Sequence, residues 1–148
     1  MDNDTIPTLP RPEDMPPLRT QADLHWFWRA MMGELGFGGR RLWVVFLDAD
    51  ERPTPLVMPI EDLPEQPEAR FIDALMAVCR QVRDEHGLGR VAVLLSRPGE
   101  AQVRATDRAW GRQLLTAAQR SGVPFAPVHL ANDEILVPLA GDDLLATG

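Results

Sequence analysis

Lysine and tyrosine are absent from this 148-residue chain, and cysteine occurs once, at position 79. A lone cysteine excludes an intramolecular disulfide and any zinc site built on paired cysteines. No apolar run approaches the ~18 residues that a membrane-spanning helix needs. The opening stretch, MDNDTIPTLPRPEDMPPLRTQ, has neither a basic leader nor an apolar core and does not read as a secretory signal. A cytoplasmic location without a membrane partner is the expectation. Positive charge is in deficit as well. The formal net charge of −7 argues against a nucleic-acid partner, because non-specific binding needs a basic field over the phosphates. No Walker or dinucleotide-binding glycine motif is present, and the histidine-glutamate and cysteine signature of zinc deaminases is missing.

What is there suits one globular domain. The length fits a single core, and the apolar and charged fractions, 45% and 25%, are those of soluble folded chains. Residues 1–20 carry Pro7, Pro10, Pro12, Pro16 and Pro17. Proline removes backbone donors and disfavours helix before it, so this segment reads as a flexible, extended arm, and residues 21–148 as one α/β domain. Residues 21–37 predict a helix with Leu24, Trp28, Met31 and Leu35 on one stripe, capped by Thr20 or Asp23 and ended by Gly36, Gly38 and Gly39. Residues 40–50 predict a strand buried on both faces, and 54–63 an antiparallel partner that Pro55 and Pro59 push to an edge. Residues 67–87 predict a helix burying Phe71, Leu75, Val78 and Val82, with Ile72, Met76 and Cys79 beside them. A central strand follows over 90–96. A helix capped by Thr106 runs to about Ser121, and strands over 124–131 and 134–140 are joined by an Asn132-Asp133 turn. The order α-β-β-α-β-α-β-β predicts a mixed sheet flanked by helices in a three-layer arrangement.

The stretches LWVVFLDADERPTPLVMPI and VAVLLSRPG, followed by Asp107 at the start of a helix and by AAQRSGVPF, resemble the JAB/MPN (cytidine-deaminase-like) fold. Within it they are most similar to bacterial RadC-like domains, over roughly residues 24–140. The resemblance implies a zinc hydrolase in which two histidines and an aspartate hold the metal and an upstream glutamate is the base. Pro98 and Asp107 match that pattern. The histidine positions fall on Leu95 and Arg97, and the glutamate falls near Arg40 or Arg41. Leucine cannot ligate zinc, and a protonated arginine repels it. The resemblance therefore implies a degenerate, metal-free relative with no cofactor.

Arg97, at a strand end where α/β sheets tend to bind ligands, is the first candidate binding residue. It either pairs with Asp107 and closes the loop or faces an open pocket. Arg104, with Arg108 and Arg112 at helical spacing, offers an anion-binding stripe or a solvated face. His129 joins Arg97 only if their strands are neighbours. His25 and His86 are assigned no role, and Cys79 reads as a core residue. Trp26 and Trp28 lie ~160° apart on a helical wheel, so one surface cannot bury both. Either the first helix is covered on two sides or it meets another chain. Trp26, Trp28, Met31 and Met32 are the candidate interface of a homodimer. The expected role is a non-catalytic interaction or regulatory module with an unidentified protein partner. The alternative is a metal-independent enzyme or anionic small-molecule sensor around Arg97, Asp107 and His129.

Overall fold

A computed structural model describes residues 6–33, 37–99 and 102–139. The elements follow in the expected order: α1 (Gln21–Met32), β1 (Arg41–Leu47), β2 (Pro53–Ile60), α2 (Ala69–His86), β3 (Val91–Ser96), α3 (Ala105–Ser121), β4 (His129–Ala131) and β5 (Leu136–Pro138). They build one five-stranded mixed sheet in the order β2-β1-β3-β4-β5. β1 is antiparallel to β2 and to β3, β3 is parallel to β4, and β4 is antiparallel to β5. The long apolar strands β1 and β3 lie inside, where both faces are covered. Proline-bearing β2 takes an edge, since proline cannot donate to a second neighbour. α3 is the crossover that a parallel β3–β4 pair requires.

Strand alternation splits the apolar residues into two cores. Leu42, Val44, Val91, Val93, Leu95, Val128 and Leu130 face α2 and α3. Val45, Leu47, Ala92, Leu94 and Ala131 face a layer holding Leu24, Phe27 and Trp28 of α1. Thr20 caps α1: its hydroxyl accepts from the Asp23 N–H at 3.0 Å while the Asp23 carboxylate accepts from the Thr20 N–H at 3.1 Å. This reciprocal box satisfies two donors of the first turn.

Several expectations need correction. α1 stops at Met32 rather than near 37, because Gly33 adopts φ 66° and returns its N–H to the Arg29 carbonyl. Leu35 and Gly36 lie outside the described residues. On α2 the buried stripe is Ile72, Leu75, Met76 and Cys79, while Val78 is 41% exposed. The helix carries a wider apolar arc than the sheet covers. Thr106 does not cap α3. Arg104 holds the cap position, and its N–H is received by the Asp107 carboxylate at 2.8 Å. The last strands are shorter than expected. Before β4, Pro124 and Pro127 interrupt pairing to leave one bridge, Val91 to Phe125. Ala140, the expected end of β5, is not among the described residues.

Within the described part of the proline-rich segment, one 3-10 turn at Pro12–Asp14 is flanked by extended backbone at Arg11 and Met15, and the inner part is not a free arm. Leu18 is fully buried, and Leu9 and Met15 pack on the α1-side core. The Leu18 N–H donates to the Glu51 carbonyl and the Leu18 carbonyl accepts from Arg90, both at 2.8 Å. The arm and α1 thus share one layer. Trp28 is also fully buried, edge-on to Phe27 at 5.2 Å. It belongs to its own chain's core and is withdrawn from the expected interface. Trp26, Met31 and Met32 are half-buried against the same cluster.

Truncating a fully buried leucine removes transfer energy and leaves a cavity, so Leu18→Ala is expected to cost about 2–5 kcal/mol. Urea unfolding should show a lower midpoint with an unchanged slope. An unchanged midpoint would mean that the arm contributes nothing to the fold.

Candidate functional site

The junction between β3 and α3 is built by continuing the strand one residue past its end. The Arg97 N–H donates to the Ala131 carbonyl at 3.0 Å, so Arg97 keeps the alternation of β3. Leu95 faces α2 and α3, and Arg97, two residues on, projects to the same side and meets α3. There its Nε donates to Asp107 Oδ1 at 2.8 Å and its Nη2 to Asp107 Oδ2 at 2.6 Å. Nη2 also donates to the Gln102 carbonyl at 2.9 Å, and Nη1 to the Pro98 carbonyl at 3.0 Å. Both residues are fully buried. Bidentate arginine–carboxylate pairing fixes both planes, and the two carbonyls occupy further donors of a group that has five. Asp107 Oδ2 also receives the Arg104 N–H, so the carboxylate starts the helix and neutralises the guanidinium together.

The surrounding loops are tied to this centre. Gly99 adopts φ 117°, and a Cβ there would lie 2.8 Å from Arg97 Nη1, so only glycine suits the position. Asp133 accepts from the Gly99 N–H at 2.9 Å and from the Phe37 N–H at 3.0 Å. Those two backbone donors hold its carboxyl below the usual carboxylate range. The Asn132 side-chain oxygen accepts from Glu134 N–H and Ile135 N–H, each at 2.9 Å, which makes the turn expected at Asn132-Asp133.

The candidate residues are only partly brought together. Arg97 and Asp107 form one unit. His129 is on a neighbouring strand, as required, but its register partner is Leu94, which faces α1. Arg97 and His129 therefore lie on opposite faces of the sheet and cannot share a pocket. His129 is fully buried. Its Nδ1 lies 3.1 Å from the Pro127 carbonyl, and its Nε2 finds no partner among the described residues. The carbonyl can only accept, so Nδ1 carries a proton and donates. Burial, with a weaker contribution from His25, pushes its pKa down to about 4, against the hydrogen bond to Pro127. The Arg104 side chain is exposed at the start of α3, Arg108 donates to the Val103 carbonyl at 3.2 Å, and Arg112 is exposed. Burial pushes the Cys79 thiol up to about 11, which suits a core residue and not a nucleophile.

The residues do not fit the zinc that the RadC-like pattern implies. Leu95 is in the core, and the cation at position 97 already occupies both oxygens of Asp107. Among the described residues, no group of three or more histidine, cysteine, aspartate or glutamate side chains could hold a metal ion. No helix among them is long and apolar enough to cross a membrane. No protein-family model and no curated protein matches the chain. Sequence reasoning anticipated the Arg97–Asp107 pair but not the Pro98 and Gln102 carbonyls or the Asp133 tie. Those contacts come from backbone atoms and loop closure, which side-chain identity does not announce.

Removing one member of a buried pair strands the other charge. Asp107→Ala is expected to lower stability by about 3–5 kcal/mol, and adding Arg97→Met should restore part of that loss. Equal destabilisation by the single and double variants in urea titrations would refute the coupling.

His129 gives a pH dependence of definite sign. Its folded-state pKa of about 4 lies below the ordinary 6.5, so the unfolded chain takes up a proton first. Its stabilising contribution is complete above pH 6.5 and is lost as pH falls towards about 4, by roughly 3 kcal/mol in all. Melting temperatures measured over that interval should fall in the wild type and fall less in His129→Gln. Parallel curves would show that His129 does not carry the effect.

Proposed function

We propose that this chain is a metal-free, non-catalytic α/β domain of RadC-like JAB/MPN ancestry that works in the cytoplasm as an interaction or regulatory module. One observation carries the non-catalytic part: the only buried arginine–carboxylate pair among the described residues closes upon itself at the strand end where a ligand would bind. Arg97 directs four hydrogen bonds to Asp107, Pro98 and Gln102, leaving at most one donor of five for anything else. A carboxylate or phosphate ligand would have to displace Asp107 from a fully buried site, at the cost of an uncompensated buried charge. The ancestry is supported by the element order and by Pro98 and Asp107 at the β3–α3 junction. In this reading the ion pair stiffens the junction, and function belongs to the outer surface.

The test is titration of the isotope-labelled protein with zinc and, separately, with inorganic phosphate and acetate. The side-chain Nε–H signal of Arg97 is expected to stay unmoved and slow to exchange, and elemental analysis is expected to find no stoichiometric zinc. A saturable shift of that signal, or zinc at about one per chain as a catalytic site would hold, would overturn the reading.

A further inference from the structure

The leftover apolar arc of α2 borders the sheet edge. Between β2 and α2 runs a groove of about 260 Å³ whose lining side chains, Met58, Ile60, Phe71, Ala74, Leu75 and Val78, are all apolar. Among the described residues the exposed large hydrophobic side chains are Leu56 and Val78, at 38% and 41%. Val78 forms one wall. Leu56 stands two residues before Met58 on β2 and so shares its face. Isolated exposed apolar residues need no explanation, but two flanking one apolar groove mark an interaction surface.

The surroundings specify the occupant. A partner strand is disfavoured, because Pro53, Pro55 and Pro59 remove donors from β2, and prolines on an edge block further pairing. The α2 wall from Phe71 to Val78 is two helical turns, about 10 Å long. That length suits two turns of a helix with apolar anchors at i, i+3 or i+4, and i+7. One end of the groove is acidic. The segment joining Ile60 to Phe71, both lining residues, carries Glu61, Asp62, Glu65 and Glu68, all exposed, against one exposed cation, Arg70. It is held in place rather than loose. Leu63 is buried with its N–H on the Arg40 carbonyl at 3.2 Å, and Trp110 Nε1 donates to the Glu65 carbonyl at 3.0 Å. Arg41 meets Glu61 alone, in an exposed pair at 3.2 Å. A second copy of the chain would bring the same acidic segment and a net charge of −7, and like charges disfavour that pairing.

We infer that the β2–α2 groove is a docking site for an amphipathic helical segment of a partner protein, with basic residues flanking its apolar face. This rests on the reading of the chain as an interaction module and names the surface and the partner chemistry.

The probe is a displayed random library of peptides about 15 residues long, the shortest length at which isolated helices persist, panned against the full chain. Enriched peptides are expected to carry apolar residues at helical spacing with arginine or lysine on one flank. Their binding should fall at least about tenfold, the loss typical of a central contact, in Val78→Asp and in Leu56→Asp. Circular dichroism melts should show that both variants stay folded. The double variant Glu65→Lys, Glu68→Lys should weaken binding roughly fivefold and flatten its salt dependence. Peptides that bind Val78→Asp as well as wild type would overturn the groove while leaving the module reading standing. Enrichment of nothing above background would remove both. Enriched peptides without basic residues would overturn the partner chemistry. A dimer in sedimentation equilibrium that Val78→Asp converts to monomer would replace the proposed partner with a second copy.

Discussion

The Arg97–Asp107 pair joins three things that a layered α/β domain must keep in register: the end of a central strand, the loop that leaves it, and the first turn of the crossover helix. Arg97 is held by its backbone to β4 and by its side chain to α3 and the loop carbonyls. Asp107 holds the guanidinium and receives the N–H of Arg104 at the start of the helix. Without either residue the other remains charged in a site closed to water, so the pair stands or falls as a unit. A strand end, where α/β sheets tend to bind ligands, is here closed by the protein itself.

The sheet needs cover on both faces, and the chain supplies it unevenly. α2 and α3 form a continuous layer on one side. On the other, a single helix is completed by the proline-rich segment, whose Leu18 is as buried as any residue of the sheet. The small residues Ala92, Ala126 and Ala131 lie on that side in the same cluster as Trp28, and small side chains there let bulky ones approach the backbone. His129 sits in the same layer as a neutral ring. The apolar supply of α2 exceeds what the layer beneath it buries, and the excess lies along the β2 edge.

Much of this was readable from pattern. Continuous apolar runs in β1 and β3 identified interior strands, and prolines identified the edge. Arg97 and Asp107 were visible as a possible pair because oppositely charged residues flank a short loop. Two readings failed for one shared reason. A wheel shows which residues share a face but not which of two apolar faces meets the sheet. A wheel alone puts Val78 on the α2 stripe, where the fold leaves it 41% exposed, and does not show that Trp28 is buried in the α1-side core.

By itself, the sequence determined the order and type of the elements and the edge position of β2, because these depend on local sterics and residue chemistry. Tertiary structure alone decided that Arg97 and His129 lie on opposite faces of the sheet, that the arm enters the second core, and that α2 leaves an apolar groove beside an acidic loop. Each of those depends on strand register and on which surfaces find cover, and both are set by contacts between residues far apart in the chain.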